Sequence, residues 1–94
     1  MTQAYTKLMT AAWNNSSDEV KQLIAQGADV NEKNETGVTA LMSAAAKDSL
    51  ESAQLLIAHG ADINARDNDG TTVLIIAKLL QPELVALFKE RGAR

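Results

Sequence analysis

Gly27-Ala28-Asp29-Val30-Asn31 returns as Gly60-Ala61-Asp62-Ile63-Asn64, 33 residues further along the chain. A fixed period of this size marks stacked supersecondary units, each unable to bury its apolar face alone. The same offset extends outward from the loop. Gly37 corresponds to Gly70, Thr6 to Thr39 and Thr72, Leu8 to Leu41 and Leu74, and Ala11 to Ala44 and Ala77. Leu23 and Ile24 correspond to Leu56 and Ile57.

Between these loops the apolar spacing is helical. Leu8, Ala11 and Ala12 fall at i, i+3 and i+4, as do Val20, Leu23 and Ile24, then Leu41, Ala44 and Ala45, and then Ala53, Leu56 and Ile57. Each unit therefore carries two amphipathic helices. Ser16 with Glu19, and Asp48 with Glu51, are expected to open second helices as capping boxes. Pro82 suits the first turn of the last helix. Gly27, Gly60 and Gly92 are expected to close the second helices in the left-handed conformation. The third unit is one residue short between its helices, near Leu80 and Gln81.

The period, the Gly-Ala-Asp-hydrophobic-Asn loop, the Asp67-Asn68-Asp69-Gly70-Thr71-Thr72 turn and the Thr-x-Leu opening of each first helix together resemble the ankyrin-repeat family. The resemblance covers nearly the whole chain. It implies an all-α solenoid of three helix–turn–helix units joined by β-turn finger loops, forming a single domain over 1–94. The units are expected at about 5–33, 34–66 and 67–94. The family's Thr-Pro-Leu-His tetrapeptide stands here as Thr6-Lys7-Leu8-Met9, Thr39-Ala40-Leu41-Met42 and Thr72-Val73-Leu74-Ile75. These departures remove a rigid helix start and a polar side chain that ties neighbouring turns.

With 94 residues the chain carries three units, about the minimum for a stable stack. Its hydrophobic fraction of 46% is rich in alanine, and aromatics are only 3%, which suits close helix packing rather than a large cofactor cavity. A net charge of −3 with scattered basic residues argues against a surface that tracks phosphates. There is no cysteine, hence no disulfide framework. The opening Met-Thr-Gln-Ala-Tyr-Thr-Lys lacks the apolar core of a secretory signal, and no apolar run is long enough for a bilayer. A cytoplasmic location is expected. The polar Lys89, Glu90 and Arg91 read as a finished outer face, as in a complete small protein.

Signatures of enzyme chemistry are missing. The single histidine, His59, directly precedes Gly60 and reads as a solvated helix end. Without cysteine or a second histidine, neither a nucleophile–base pair nor a thiolate or imidazole metal cage can be assembled. Asp67-Asn68-Asp69-Gly70 superficially suggests a calcium loop. Placing Gly70 at the sixth position of that loop puts Ala65 first and Ile76 twelfth, where carboxylates are required. The segment reads instead as a turn. Asp29 and Asp62 recur at a repeated position and are expected to brace their loops. Asn14-Asn15-Ser16-Ser17 holds overlapping glycosylation patterns, which mean nothing in the cytoplasm. Glu32, Glu35, Asp67 and Asp69 gather along one edge with nothing to bury them, so weak hydrolysis by carboxylates is a remote reading. No catalytic, cofactor-binding or metal-ligating residue is expected, and no cofactor.

What remains is a surface. The family resemblance implies binding through finger tips and the concave face of the first helices. Carried over by position, it implies a row of Tyr5, Val38 and Thr71, a second of Trp13, Ala46 and Leu79, and a third of Asn14, Lys47 and Leu80. It adds the finger residues Lys33, Glu35, Thr36, Arg66, Asn68 and Asp69. Tyr5 and Trp13 are aromatic anchors of the kind enriched at binding hot spots. Trp13 is open to a second role, covering the exposed core of an end unit, and Leu79 and Leu80 share that ambiguity. Phe88, aligned with Leu23 and Leu56, reads as core. The function expected is a non-catalytic module that binds a partner protein as scaffold, mask or inhibitor, without nucleic acid or membrane. The alternative is a self-associating homodimer formed by end-to-end stacking.

Overall fold

Residues 6–94 are described by the structure, a computed structural model. Among them lie six α-helices: α1 Lys7–Trp13, α2 Ser17–Ala25, α3 Ala40–Ala46, α4 Leu50–Ala58, α5 Val73–Leu80 and α6 Val85–Glu90. A 3₁₀ turn, Pro82–Leu84, leads into α6, with Pro82 where its missing N–H leaves no bond unmade. The described residues contain no strand, so the fold is the all-helical one implied by the sequence.

Three threonines start the first helices. The hydroxyl oxygens of Thr6, Thr39 and Thr72 accept from the backbone N–H groups of Met9 at 3.0 Å, Met42 at 3.3 Å and Ile75 at 3.3 Å. Each satisfies one of the orphan donors of a helix N-terminus.

Glycines end the second helices as expected. Gly27, Gly60 and Gly92 adopt φ of 95°, 92° and 102°. Around each, two N–H groups turn back onto the helix; for Gly60 these are Gly60 N–H to Ile57 O at 3.1 Å and Ala61 N–H to Leu56 O at 2.9 Å. This paired closure recovers carbonyls that the helix end would otherwise leave unbonded.

The expected capping boxes do not form. Ser16 precedes α2 but its side chain makes no cap bond, and α4 is preceded by Ser49, not Asp48. Asp48 belongs to the previous helix. With φ of 55° it is the left-handed closing residue of α3, just as Asn15, with φ of 51°, closes α1. Asn and Asp are the non-glycine residues that tolerate this region best. The reversal between helices is so tight that the following serine sits at ψ near 75°, outside the extended conformation that aims a cap side chain at its helix. In the third unit the missing residue removes this left-handed position. There α5 runs one residue longer than α1 or α3, and Gln81 alone links it to the 3₁₀ turn.

The helices form two layers. α1 packs on α3 and α3 on α5, while α2 packs on α4. The core is made of repeated columns: Leu8, Leu41 and Leu74; Ala11, Ala44 and Ala77; and Leu56 with Phe88, all buried. Fully buried alanines let neighbouring helices approach closely, which explains the alanine-rich composition. No helix among the described residues is long and apolar enough to cross a membrane.

Loop side chains then lock unit to unit. Asn31 accepts from Asp62 N–H at 2.6 Å and donates to Gly60 O at 3.1 Å. Asn64 repeats this on Arg94 N–H at 3.0 Å and Gly92 O at 3.1 Å. Asp29 and Asp62 brace their own loops as expected, accepting from Asn31 N–H at 2.9 Å and Asn64 N–H at 3.0 Å.

Candidate functional site

Because α1, α3 and α5 lie side by side, residues 33 apart stand in register across them. Thr10, Ser43 and Ile76 form one such column, and Met9 and Met42 part of another. These five line a concave groove of about 470 Å³ together with Trp13, Asn14, Val38, Ala46 and Asp67. This volume lies within the range of about 300–1,000 Å³ typical of recognition pockets, which are mostly apolar with a few placed polar groups.

Trp13 dominates the wall. It is 47% exposed and lines the groove. The ammonium of Lys47 sits 5.2 Å from its ring centroid. Such a cation–π contact is worth about 0.5–1 kcal/mol at an exposed site and holds the ring in place. Leu79 continues the Trp13–Ala46 column onto α5, where it is 76% exposed, and the adjacent Leu80 is 59% exposed. The shortened linker therefore turns neither leucine inward. Phe88 is fully buried, as expected.

The opposite wall is built by the turns. In the third unit, Asp67 Oδ1 accepts from Asp69 N–H and Thr71 N–H, both at 2.9 Å. In the second, Asn34 Oδ1 accepts from Thr36 N–H, the Thr36 hydroxyl and Val38 N–H, all at 3.0 Å. Neighbouring turns touch. Asn68 N–H donates to Thr36 O and Asn68 Nδ2 to Glu35 O, both at 2.9 Å, while Lys33 Nζ donates to Arg66 O at 3.1 Å.

The surface residues singled out from the sequence thus fall into three groups. Trp13, Asn14, Val38 and Ala46 share the groove, with Lys47 above Trp13 and half-buried Thr71 beside the base of the next turn. Leu79 lies beyond it on α5. Lys33, Glu35, Arg66 and Asn68 lie on the exposed fingers, where Lys33 and Asn68 direct their polar groups at neighbouring backbone. Tyr5 lies outside the described residues. The reading by position omitted Met9, Thr10, Met42, Ser43, Asp67 and Ile76 from the groove. The 33-residue offset between Thr10, Ser43 and Ile76 was the signal that could have found part of this floor.

Local desolvation, and then the Glu83 carboxyl that hydrogen-bonds and repels it, hold the Asp48 carboxyl above its ordinary range. Among the described residues no group of His, Asp or Glu side chains is arranged to hold a metal ion.

A sequence model of ankyrin repeats matches residues 8–94 as three copies. No curated protein matches the chain. Ankyrin repeats generally serve as protein–protein interaction modules and are typically non-catalytic.

Proposed function

We propose, from the premise that this chain belongs to the ankyrin-repeat family, that it binds a partner protein through the groove and adjoining finger tips. The observation carrying this reading is Trp13, a large aromatic left half-exposed on the wall of a preformed apolar concavity. Burying such a ring contributes large area with few rotors, and a rigid stack loses little freedom on binding. The mechanism is occupancy: the protein scaffolds, masks or inhibits its partner without covalent chemistry. A net charge of −3 disfavours nucleic acid, and the absence of cysteine suits the reducing cytoplasm. The residues of this reading are Trp13, Asn14, Val38 and Ala46 in the groove, Lys47, Thr71 and Leu79 beside it, and Lys33, Glu35, Arg66 and Asn68 at its finger edge. Tyr5 is retained from its sequence position.

Affinity capture from the source cell's lysate tests it, comparing wild type with a folded Trp13→Ala/Leu79→Ser variant. A partner held by wild type and lost by the variant supports the groove. A partner held equally by both rejects it.

Self-association is favoured by a different observation. Met9 and Met42 are 1% and 2% exposed because the next unit covers them, whereas Ile75, their counterpart, is 43% exposed. A second copy stacked on α5 covers it. Lys78 opposes this, since it carries a charge where Ala12 and Ala45 are fully buried by their neighbours. Sedimentation equilibrium across a range of concentrations separates the readings, because only the homodimer dissociates on dilution.

A further inference from the structure

Among the described residues that line the groove, Asp67 is the only one with a formal charge. It is half-buried on the wall made by the turns. Both of its turn bonds, from Asp69 N–H and Thr71 N–H, go to Oδ1, and no hydrogen bond or ion pair among the described residues engages Oδ2. Lys47 is not part of the lining; its ammonium lies over the Trp13 ring.

The hydroxyls that line the groove have the same polarity as this carboxylate. Thr10 Oγ1 donates to Thr6 O at 3.2 Å and Ser43 Oγ to Thr39 O at 3.4 Å, each one helical turn back. With their protons committed to helix backbone, these oxygens have only acceptor lone pairs left to offer. The amide of Asn14 carries donors and an acceptor and selects neither. The polar groups set in this apolar surface are therefore mostly acceptors, and one of them is charged.

That polarity constrains what can cover the groove. A partner closing over it removes water from Asp67, and a carboxylate buried without a countercharge is strongly unfavourable. Apolar or acidic side chains leave the charge unpaired. A basic side chain supplies the countercharge and the missing donors together.

We infer that the partner, on the reading proposed above, inserts a basic side chain against Asp67, with an adjoining apolar side chain against Trp13. Arginine suits the site better than lysine, because its planar fork of donors can meet several acceptors at once. Its aliphatic stem packs on the apolar lining while the charged head stays with the oxygens.

The probe is a library of random peptides lacking tryptophan, displayed on phage and selected on the whole protein. Asp67→Asn is the informative variant. Asn34 holds the equivalent turn through Oδ1, so the exchange keeps the turn and deletes the charge. Asp69→Asn, on the exposed finger outside the groove, removes an equal charge as the control. Trp13 is the only tryptophan in the chain, so its fluorescence reports occupancy during titration with a selected peptide. The expected selection pairs arginine with a large apolar residue. Its affinity should fall about tenfold for Asp67→Asn and stay unchanged for Asp69→Asn. Replacing the peptide's arginine by uncharged citrulline should weaken binding to wild type equally and to Asp67→Asn no further. Selected sequences without a basic residue overturn the inference, as do equal losses for the two variants or a library that yields no peptide perturbing Trp13. A lysate partner lost by Trp13→Ala/Leu79→Ser but indifferent to Asp67→Asn rejects the basic anchor while leaving the groove as the binding surface.

Discussion

Asn15 caps a helix that does not belong to its own unit. Its Oδ1 accepts from Ser52 N–H at 3.3 Å and from the Ser52 hydroxyl at 3.1 Å, 37 residues away. Ser52 is at the third position of α4, the position an N-cap side chain normally serves, and Ser49 leaves it unserved. One loop residue therefore closes α1 through its backbone and opens α4 through its side chain. Asn15→Gly keeps the left-handed backbone without strain and removes only the cap. Urea denaturation should show a loss of about 0.5–2 kcal/mol. Asn15→Asp, which keeps the acceptor, should lose far less. Equal losses for both would show that the inter-unit cap contributes nothing.

Gly37 and Gly60 share a positive φ, of 82° and 92°, but not a neighbourhood. A Cβ on Gly60 meets nothing within 4 Å, whereas on Gly37 it would lie 2.7 Å from Asn68 Oδ1 and 2.9 Å from the Asn68 backbone nitrogen. Gly60→Ala should therefore lose only the backbone term, about 1–2 kcal/mol. Gly37→Ala should lose that and separate adjacent fingers as well. The ranking is read from denaturation midpoints, and an amide shift change at Asn68 in Gly37→Ala alone would locate the cause. Gly60→Val should also be far more damaging than the exposed Gln26→Ala, because a β-branched residue strongly resists positive φ.

Asn34 and Asp67 occupy equivalent turn positions and differ in one atom. Asn34 Nδ2 is buried without a hydrogen-bond partner, and the carboxylate of Asp67 carries no such donor. Asn34→Asp should keep the three bonds to Oδ1, strengthen them with charge and delete the orphan N–H. A gain of about 1 kcal/mol at neutral pH is expected from chemical denaturation. A loss would show that Nδ2 is satisfied in solution.

Asp48 and Glu83 make stability depend on pH in an unusual direction for carboxylates. The Asp48 pKa is raised from 3.8 by desolvation and then by Glu83, so between 3.8 and its folded value the native state binds more protons than the unfolded chain. Stability from this group therefore falls as pH rises through that window, and the penalty is complete above it. Glu83→Gln removes the repelling charge and leaves the left-handed Asp48 in place. The variant should be more stable than wild type at neutral pH, with the advantage shrinking as pH falls towards 3.8. A constant difference across a thermal-melt pH series would assign the effect to something other than this pair.

The amino-acid sequence by itself determined the repeat and the signals local to each unit. Left-handed Gly27, Gly60 and Gly92 and the Asp29 and Asp62 loop braces follow from residues a turn or two apart, where spacing fixes geometry, and the buried Phe88 follows from its place in the repeat. That locality also explains the misreading of Asp48. Its spacing to Glu51 satisfies a capping pattern, but the pattern cannot reveal that the chain reverses through a left-handed residue there. Only the tertiary structure decided what happens between units. The cap from Asn15 to Ser52, the clamp from Asn31 to Gly60, the approach of Gly37 to Asn68 and the Lys47–Trp13 stack join residues about thirty or more apart. The groove likewise exists only once α1, α3 and α5 are side by side. The physical reason is range: hydrogen bonds and side-chain contacts act over a few ångströms, and stacking alone brings residues one period apart within that reach.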